Sequence, residues 1–491
     1  MPTTTPTTRT IRVEIGGGPN ERAPDEGMNV HNKPNPTPDN VLGIYDEIAE
    51  VESPRFERVY WTKEPHLRKL YGMTSFLLVA SAKTGYDSML LNTSQQLHAW
   101  NHFYFPEKKL NPDLADPVED SKLAILINMF NIGSILSFVI TSYVADNYGR
   151  KPSIVAGCMF MIFGGFLTGF CNGYGSRYLV YMGGRFLLGL GNSLAQMASP
   201  LLLTEIVHPQ HRGPVSAIYN CLWNAGALLV SCIAWGTSNI ASNWSWRSIT
   251  LLQILPLAVQ LAGIWWLPES PRYLINKERH DEALDILAKW HAGGDRLNRT
   301  VQFEFREIKE TIRIQKELDE VSSYVDFIRT KGNRWRLAII ISLGVISQYS
   351  GNALFSNYMN AVYGGAGITE QSHKLAISTG KIILDLIVTI FAALNVDRFG
   401  RRPLFLMSTC GMVVSFACWT ATGAAYEHSG ETNMTIGYTQ LVLIWIFGIF
   451  YDIGFSGLLV AYALEILPFH LRAKGMMLMN VTMQAVLAIS K

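Results

Sequence analysis

Residues 146–152 read Asp-Asn-Tyr-Gly-Arg-Lys-Pro, and residues 397–403 read Asp-Arg-Phe-Gly-Arg-Arg-Pro. Each copy connects two long apolar segments. The shared Asp, Gly, Arg and Pro positions indicate that the chain contains one unit twice. Because both copies are flanked by apolar segments, we expect a duplicated helical bundle in a membrane.

A second pair of residues repeats in the same order. Glu205 stands seven residues before Arg212, and Glu465 stands seven residues before Arg472, each time just after an apolar segment. Duplicated bundles with a binding site between the halves are typical of secondary transporters. The residues alone therefore favour transport of a small solute.

The composition supports a membrane protein. Charged residues make up 16% and hydrophobic residues 48% of the chain, whereas soluble proteins carry about 25% charged residues. A helix needs about 20 apolar residues to cross the bilayer. Ten such spans are predicted, at 71–92, 122–145, 153–173, 178–201, 214–236, 247–267, 335–360, 373–395, 403–424 and 438–463. An eleventh begins near Met476 and is still apolar at Lys491, so we expect a fragment of a longer protein.

Basic residues indicate the orientation, because cytoplasmic loops of membrane proteins are rich in Lys and Arg. They cluster before the first span and after the second, fourth and eighth spans, which places the N-terminus in the cytoplasm. We predict four parts. They are a largely disordered cytosolic segment (1–70), an N-terminal six-helix bundle (71–267), cytosolic connector helices (268–334) and an incomplete C-terminal bundle (335–491).

At these residues the chain resembles the sugar porter family of the major facilitator superfamily. The repeated loops match the superfamily signature, and Pro268-Glu269-Ser270-Pro271-Arg272 matches the sugar porter sequence after the sixth helix. Further matches are Gly184-Arg185-Phe186, Trp246-Arg247 and the stretch from Glu465 to Gly475. The resemblance implies an all-α integral membrane protein with the two-bundle major facilitator fold of 12 helices. Ser350-Gly351-Asn352 and Leu459-Val460-Ala461-Tyr462 are more similar to fungal lactose and cellodextrin permeases than to hexose carriers.

Two charges lie at matching depths in the first bundle. Asp87 in the first span and Arg185 in the fourth span are each predicted ~10 Å below the outer surface. An unpaired charge at mid-span costs about 2.5–3.5 kcal/mol, so we expect the two to pair. Our hypothesis is that Asp87 carries a coupled proton with Arg185 as its counter-charge. A permanent structural ion pair is the alternative.

The repeated charged residues are predicted to form a cytoplasmic gate, because ion pairs between helix ends must separate when the two halves rock. Generic positive charge on the inner side would explain the bases but not the repeated acids. The predicted gate residues are Asp146, Arg150, Lys151, Glu205, Arg212, Glu269, Arg272, Asp397, Arg401, Arg402, Glu465 and Arg472.

A sugar site needs hydroxyl partners on otherwise apolar helices. The candidates are Asn220, Asn224, Gln253, Gln348, Asn352, Asn357, Tyr358 and Tyr462. Lys381 and Asp385 form an i, i+4 pair in the eighth span. This pair is a self-neutralising structural element, a second proton site, or a change that disables transport in a sugar sensor. Asp452 is a further acid within the tenth span, without an assigned partner.

Together these features predict a proton-coupled transporter of a disaccharide or oligosaccharide in the plasma membrane, working by alternating access. A membrane receptor that binds sugar without carrying it is the alternative. No group of nucleophile, base and oxyanion donor indicates an enzyme. All six cysteines fall in apolar spans, which argues against a metal site. The expected partners are the sugar and the lipid bilayer, with no nucleic acid, no cofactor beyond a proton gradient, and a monomeric chain.

Overall fold

In a computed structural model of the protein, the structure describes residues 59–104, 117–171, 177–321, 324–351, 355, 359–365, 367–368, 370–428, 434–468 and 471–489. Every regular element in these ranges is helical. Among the described residues, seven helices are long and apolar enough to cross a membrane.

The first half of the described chain forms one helical bundle. Its helices are α1 (Pro65–Gln95), α2 (His98–Tyr104), α3 (Pro117–Asn147), α4 (Arg150–Gly169), α5 (Arg177–Ile206), α6 (Arg212–Thr237), α7 (Trp244–Leu252) and α8 (Ile254–Gly263). A short 3₁₀ turn at Pro209–His211 precedes α6. The core of this bundle contains Leu77, Ile154, Leu188 and Leu202, all almost completely buried.

The second half forms the C-terminal bundle after a helical connector. The connector contains α9 (Pro271–Asn276), α10 (His280–His291), α11 (Arg299–Val321) and α12 (Asp326–Arg329). The bundle contains α13 (Lys331–Tyr349), α14 (Met359–Gly365), α15 (Gln371–Phe399), α16 (Arg401–His428), α17 (Met434–Tyr451), α18 (Gly457–Ile466) and α19 (Arg472–Ile489).

Three predicted spans are interrupted rather than continuous. The helix predicted at 247–267 divides into α7 and α8 at Gln253. The helix predicted at 335–360 ends at Tyr349, two residues before Gly351, whose φ of 103° lies in the left-handed region that glycine tolerates best. A π-helical turn at Asp452–Ser456 separates α17 from α18. Span prediction from apolar length misses such breaks because the broken segments remain apolar.

Close helix packing in the N-terminal bundle depends on glycines. A Cβ at Gly85 of α1 would lie 1.8 Å from the backbone oxygen of Trp223, and one at Gly226 of α6 would lie 1.7 Å from that of Ala82. The backbones of α1 and α6 therefore touch at two places where a side chain has no room. This is the small-residue packing that membrane helices use.

Polar contacts join the two bundles at the end that the sequence places outside. Gln96 at the end of α1 donates to Ser378 Oγ of α15 at 3.0 Å, and Tyr363 of α14 lies 3.0 Å from the same oxygen. The backbone N–H of His98 donates to Gln371 Oε1 at 2.9 Å, and Gln371 in turn donates to the Ser238 carbonyl at 3.2 Å. These contacts hold the outer ends of the bundles together.

Candidate functional site

The centre of the N-terminal bundle contains a buried ion pair. Lys83 Nζ lies 2.5 Å from Asp87 Oδ2, one helical turn away on α1, and both side chains are only 2% exposed. Lys83 donates hydrogen bonds to Asn192 Oδ1 at 3.1 Å and to Met161 Sδ. Both oxygens of Asp87 are buried without a hydrogen-bond donor. Asp87 therefore has a charge partner, but its geometry is poor for a hydrogen bond.

The structure pairs Asp87 with Lys83 instead of with the predicted Arg185. The Arg185 guanidinium lies 5.0 Å from the centre of the Phe130 ring, and its Nε is buried without a hydrogen-bond acceptor. Lys83 is closer because it belongs to the same helix as Asp87. The i, i+4 spacing could have identified Lys83, since the same spacing identified Lys381 and Asp385.

The first copy of the repeated loop forms an ion-pair cluster within the N-terminal bundle. Arg150 donates to both oxygens of Glu205, at 3.2 and 3.3 Å, and lies 3.6 Å from Asp146 Oδ1. Lys151 donates to the Leu267 carbonyl at 2.8 Å rather than to an acid. Burial raises the pKa of Glu269, and backbone N–H groups, including that of Ser270, offset part of the rise. These residues thus connect helix ends on the side that the sequence predicts to be cytoplasmic.

Two predicted gate residues contact the connector instead. Arg212 donates to Glu304 Oε1 of α11 at 2.6 Å, and Arg272 donates to Gln315 Oε1 at 3.3 Å. The gate prediction placed both in the loop cluster, because the sequence does not show that α11 folds back beneath the bundle. In the second half, Arg402 and Glu465 are exposed. The side chains of Asp397, Arg401 and Arg472 lie outside the described part of the structure.

A histidine cluster completes the contact between connector and bundle. His291 of α10 contacts Glu304 Oε2 through Nδ1 at 2.7 Å and the Ile206 carbonyl through Nε2 at 3.1 Å. The ring of His208 lies 5.3 Å from that of His291. Burial, followed by the neighbouring His291, lowers the pKa of His208 to about 4. Burial alone would raise the pKa of Glu304, but His291 and Arg212 lower it overall.

Some predicted sugar-binding residues lie at the seam between the bundles. Asn224 of α6 is buried and donates to Thr389 Oγ1 of α15 at 3.4 Å. Asn220, one turn earlier on α6, is exposed. Since residues four apart share a helix face, Asn220 also points towards the C-terminal bundle. A polar ligand in the seam could reach Asn220.

Other candidates lie elsewhere. Gln253 is completely buried beside Gly165 inside the N-terminal bundle, with neither amide atom hydrogen-bonded, so its placement in a sugar site is corrected. Gln348 of α13 is 9% exposed and donates to Ser347 Oγ at 3.4 Å. Tyr462 packs against Phe405, with ring centres 5.2 Å apart. Asn352, Asn357 and Tyr358 lie outside the described residues.

The C-terminal bundle contains a second lysine–aspartate pair. Lys381 Nζ lies 2.6 Å from Asp385 Oδ2, and the two side chains are 18% and 15% exposed. Gly448 of α17 faces the pair, since a Cβ there would lie 3.2 Å from Lys381 Nζ. Asp452, four residues later, contacts Asp385. The sequence left Asp452 without a neighbour because this contact joins α15 to the π-helical turn.

Comparison with known families gives a match over most of the chain. The family of sugar (and other) transporters matches residues 73–489. A high-affinity glucose transporter of Kluyveromyces lactis is 26% identical over 392 residues, which cover 78% of this chain and 67% of that protein. An MFS-type transporter of Aspergillus cristatus is 24% identical, covering 82% of this chain and 81% of the relative. A probable polyol transporter of Arabidopsis thaliana is also 24% identical, covering 84% and 79%.

Solved structures show the same fold. The xylose transporter XylE of E. coli, in a partially occluded inward-open conformation, superposes with a TM-score of 0.68 at 19% identity, covering 86% of this chain and 89% of that one. XylE bound to 6-bromo-6-deoxy-D-glucose superposes with the same TM-score at 18% identity, covering 86% and 88%. The predicted all-α, major facilitator-type fold is confirmed.

Proposed function

This chain belongs to the family of sugar (and other) transporters, and we propose that it carries a sugar together with a proton across the membrane by alternating access. The family consists of transporters and not of enzymes, in agreement with the sequence analysis. Two of the relatives described above are named as a glucose transporter and a probable polyol transporter, which supports a carbohydrate as the solute. The protein is a multi-pass membrane protein.

One observation carries the proton-coupling proposal: Asp87 is buried beside Lys83, and neither of its oxygens has a hydrogen-bond donor. An ionised carboxylate in this place depends mainly on the nearby Lys83 for its stability. If the Lys83 ammonium moves away as the bundles rock, a proton is the smallest cation that can replace it on Asp87. Arg185 adds a second positive charge within electrostatic reach of Asp87 and favours release of that proton. Asp87 thus holds the proton, and Lys83 and Arg185 control when it leaves.

The seam between α6 and α15 provides the proposed binding surface. Asn220 and Asn224 offer amide groups to sugar hydroxyls, and breaking the bond between Asn224 and Thr389 would free both side chains. A disaccharide or short oligosaccharide is proposed as the substrate, on the resemblance of the seventh and tenth spans to fungal lactose and cellodextrin permeases. We further propose a monomer in the plasma membrane with its N-terminus in the cytoplasm.

Uptake into proteoliposomes tests the proposal. Labelled glucose, lactose and cellobiose are supplied with and without an imposed pH gradient, acidic outside. We expect accumulation of one of the disaccharides with the gradient, and only equilibration without it. Equal uptake in both conditions would contradict proton coupling, and uptake of glucose alone would contradict the disaccharide proposal.

A substitution isolates the role of Asp87. Asp87→Asn should remove the part of the gradient-driven accumulation that the Asp87 proton contributes but retain exchange of labelled for unlabelled sugar, because exchange requires no net proton movement. Asp281→Asn makes the same chemical change at an exposed position of α10 and should behave as the wild type. Gradient-driven accumulation by Asp87→Asn equal to that of the wild type would remove Asp87 from the coupling mechanism.

A further inference from the structure

Three charged groups meet inside the C-terminal bundle. Lys381 and Asp385 are paired on α15, and Asp452 at the start of the π-helical turn contacts Asp385. Within the described residues, the charged groups recorded around Asp452 are these two. Tyr363 of α14 lies within electrostatic reach of Asp385. The helices α16 to α18 pack around the turn; Ser408 of α16 lies beside Gly454 of the turn, and Gly448 of α17 lies beside Lys381 and Asp385.

The charges of the cluster do not balance. Two carboxylates face one ammonium, which leaves one negative charge within the apolar span. Asp385 Oδ1 and Asp452 Oδ2 are both buried without a hydrogen-bond donor. Ionised carboxylates only accept hydrogen bonds, so two in contact repel each other and satisfy neither oxygen. A single proton between them supplies the missing donor and neutralises the excess charge.

The cluster lies beside the seam between the two bundles. Ser378 and Thr389 lie seven residues before and four residues after Asp385 on α15, and they bond to Gln96 and Asn224 of the other bundle. These spacings place Asp385 on the same helix face, directed at the N-terminal bundle. Its side chain is 15% exposed. Rocking of the bundles would therefore change its access to water.

We propose that Asp385 and Asp452 bind one proton between them, with Lys381 as the counter-charge, and that this second proton site loads and empties during transport. The proton comes from water on one side of the membrane and forms an O–H bond on Asp452 Oδ2. This O–H group donates a hydrogen bond to Asp385 Oδ1. It leaves to water on the other side, and no electrons are transferred. The inference rests on the proposed proton-coupled function and adds a second coupled proton for each sugar carried.

The number of protons carried with each sugar tests the inference. At equilibrium and zero membrane potential, each coupled proton increases sugar accumulation about tenfold per pH unit of gradient. We expect about a hundredfold per pH unit for the wild type, with protons at Asp87 and at this cluster, and about tenfold for Asp452→Asn. Asp452→Glu keeps the carboxyl group and should retain the wild-type value, and Asp281→Asn serves as the surface control.

The outcomes separate this inference from the proposed function. A wild type without gradient-driven accumulation contradicts the proposed symport itself. A wild type that accumulates sugar, with an unchanged dependence on the gradient in Asp452→Asn, overturns the second site and leaves symport through Asp87 intact.

A spectroscopic measurement covers the case in which Asp452→Asn does not fold. Infrared difference spectra of the purified wild type across a pH step should show a protonated carboxyl band, and Asp385→Asn should shift or remove it. A carboxyl band identical in the wild type and Asp385→Asn would also overturn the inference.

Discussion

The two bundles each contain a lysine–aspartate pair with the same spacing but a different environment. Lys83 and Asp87 lie 2.5 Å apart and are 2% exposed, whereas Lys381 and Asp385 lie 2.6 Å apart and are 15–18% exposed. The local geometry of a helix sets both distances, because residues four apart are neighbours on its surface. Tertiary packing alone makes the difference in exposure.

The packing around the two lysine–aspartate pairs differs in the same way as their exposure. The first pair lies on a helix whose backbone touches that of α6 at Gly85 and Gly226, and both of its side chains are almost completely buried in this conformation. The second pair faces Gly448, where the nearest atoms are ends of flexible side chains, and it has an additional acid in Asp452. The same sequence pattern therefore gives an almost completely buried ion pair of Lys83 and Asp87, here called the sealed pair, in one bundle. In the other bundle it gives a more exposed cluster around Lys381 and Asp385.

The largest expected effect is the loss of one partner of the sealed pair. Lys83→Met leaves Asp87 buried without a counter-charge at short distance and should destabilise the protein by about 3–5 kcal/mol. The double variant Lys83→Met with Asp87→Asn removes both charges and should recover much of that loss. Thermal unfolding of the purified protein in detergent measures both effects. A single variant as stable as the double variant would show that Arg185 neutralises Asp87 without Lys83.

Glycine substitutions test whether the packing differs as much as the ion pairs. Gly226→Ala places a Cβ 1.7 Å from the Ala82 oxygen, so the helices must separate, whereas Gly448→Ala meets Lys381 Nζ at 3.2 Å. We expect a loss of about 3 kcal/mol for the first and less than about 1 kcal/mol for the second. The comparison is again made by thermal unfolding. Equal losses would indicate that the C-terminal bundle is packed as tightly as the N-terminal one.

The fold could be predicted from the sequence because its signals are local or repeated. The duplicated motif at 146–152 and 397–403 indicated two related halves, and apolar length indicated where helices lie. Helix breaks at Gln253 and Asp452 were missed, since a single polar residue within a long apolar run does not end a predicted span. The length of an apolar segment indicates whether the segment can enter a membrane. It carries little information on where the backbone departs from a continuous helix.

The site could be predicted only in part. Asp87 was identified as a buried charge, but its partner was sought on another helix and found on its own at Lys83. Gln96 and Ser378, which join the bundles, carry no signal in the sequence because their contact spans 282 positions. Residue type and depth can suggest which groups are functional, while their pairing requires the tertiary structure.

Removing the lysine of the exposed pair should have a smaller effect than removing that of the sealed pair. Lys381→Met leaves two acids together, but water reaches them and a proton can neutralise one. We expect a loss of about 1–2 kcal/mol at neutral pH. The loss should shrink as the pH falls, because protonation relieves the repulsion. A loss as large as that of Lys83→Met, and independent of pH, would show that the second pair is also sealed.

The smallest effect concerns the buried charges outside the membrane, where the connector meets the N-terminal bundle. The pKa of His208 is lowered by burial from 6.5 to about 4 in the docked state. An undocked His208 therefore takes up a proton below about pH 6.5, while the docked one resists it down to about pH 4. Docking of the connector should therefore be fully favourable above about pH 6.5 and weaken progressively between about pH 6.5 and about pH 4. Glu304 acts in the same direction at lower pH, since its pKa is also lowered by docking.

Hydrogen–deuterium exchange of α10 and α11 at about pH 7.5 and about pH 5, corrected for the intrinsic rate, measures this weakening. We expect less protection at the lower pH in the wild type. His208→Asn should reduce the difference, because asparagine cannot titrate yet can still accept the hydrogen bond that Gln210 N–H donates to His208 Nδ1. An unchanged difference in His208→Asn would assign the sensitivity to Glu304 and its partners. In that case, protonation of His208 contributes nothing measurable to the pH dependence of docking, and the contacts of Glu304 with Arg212 and His291 account for it.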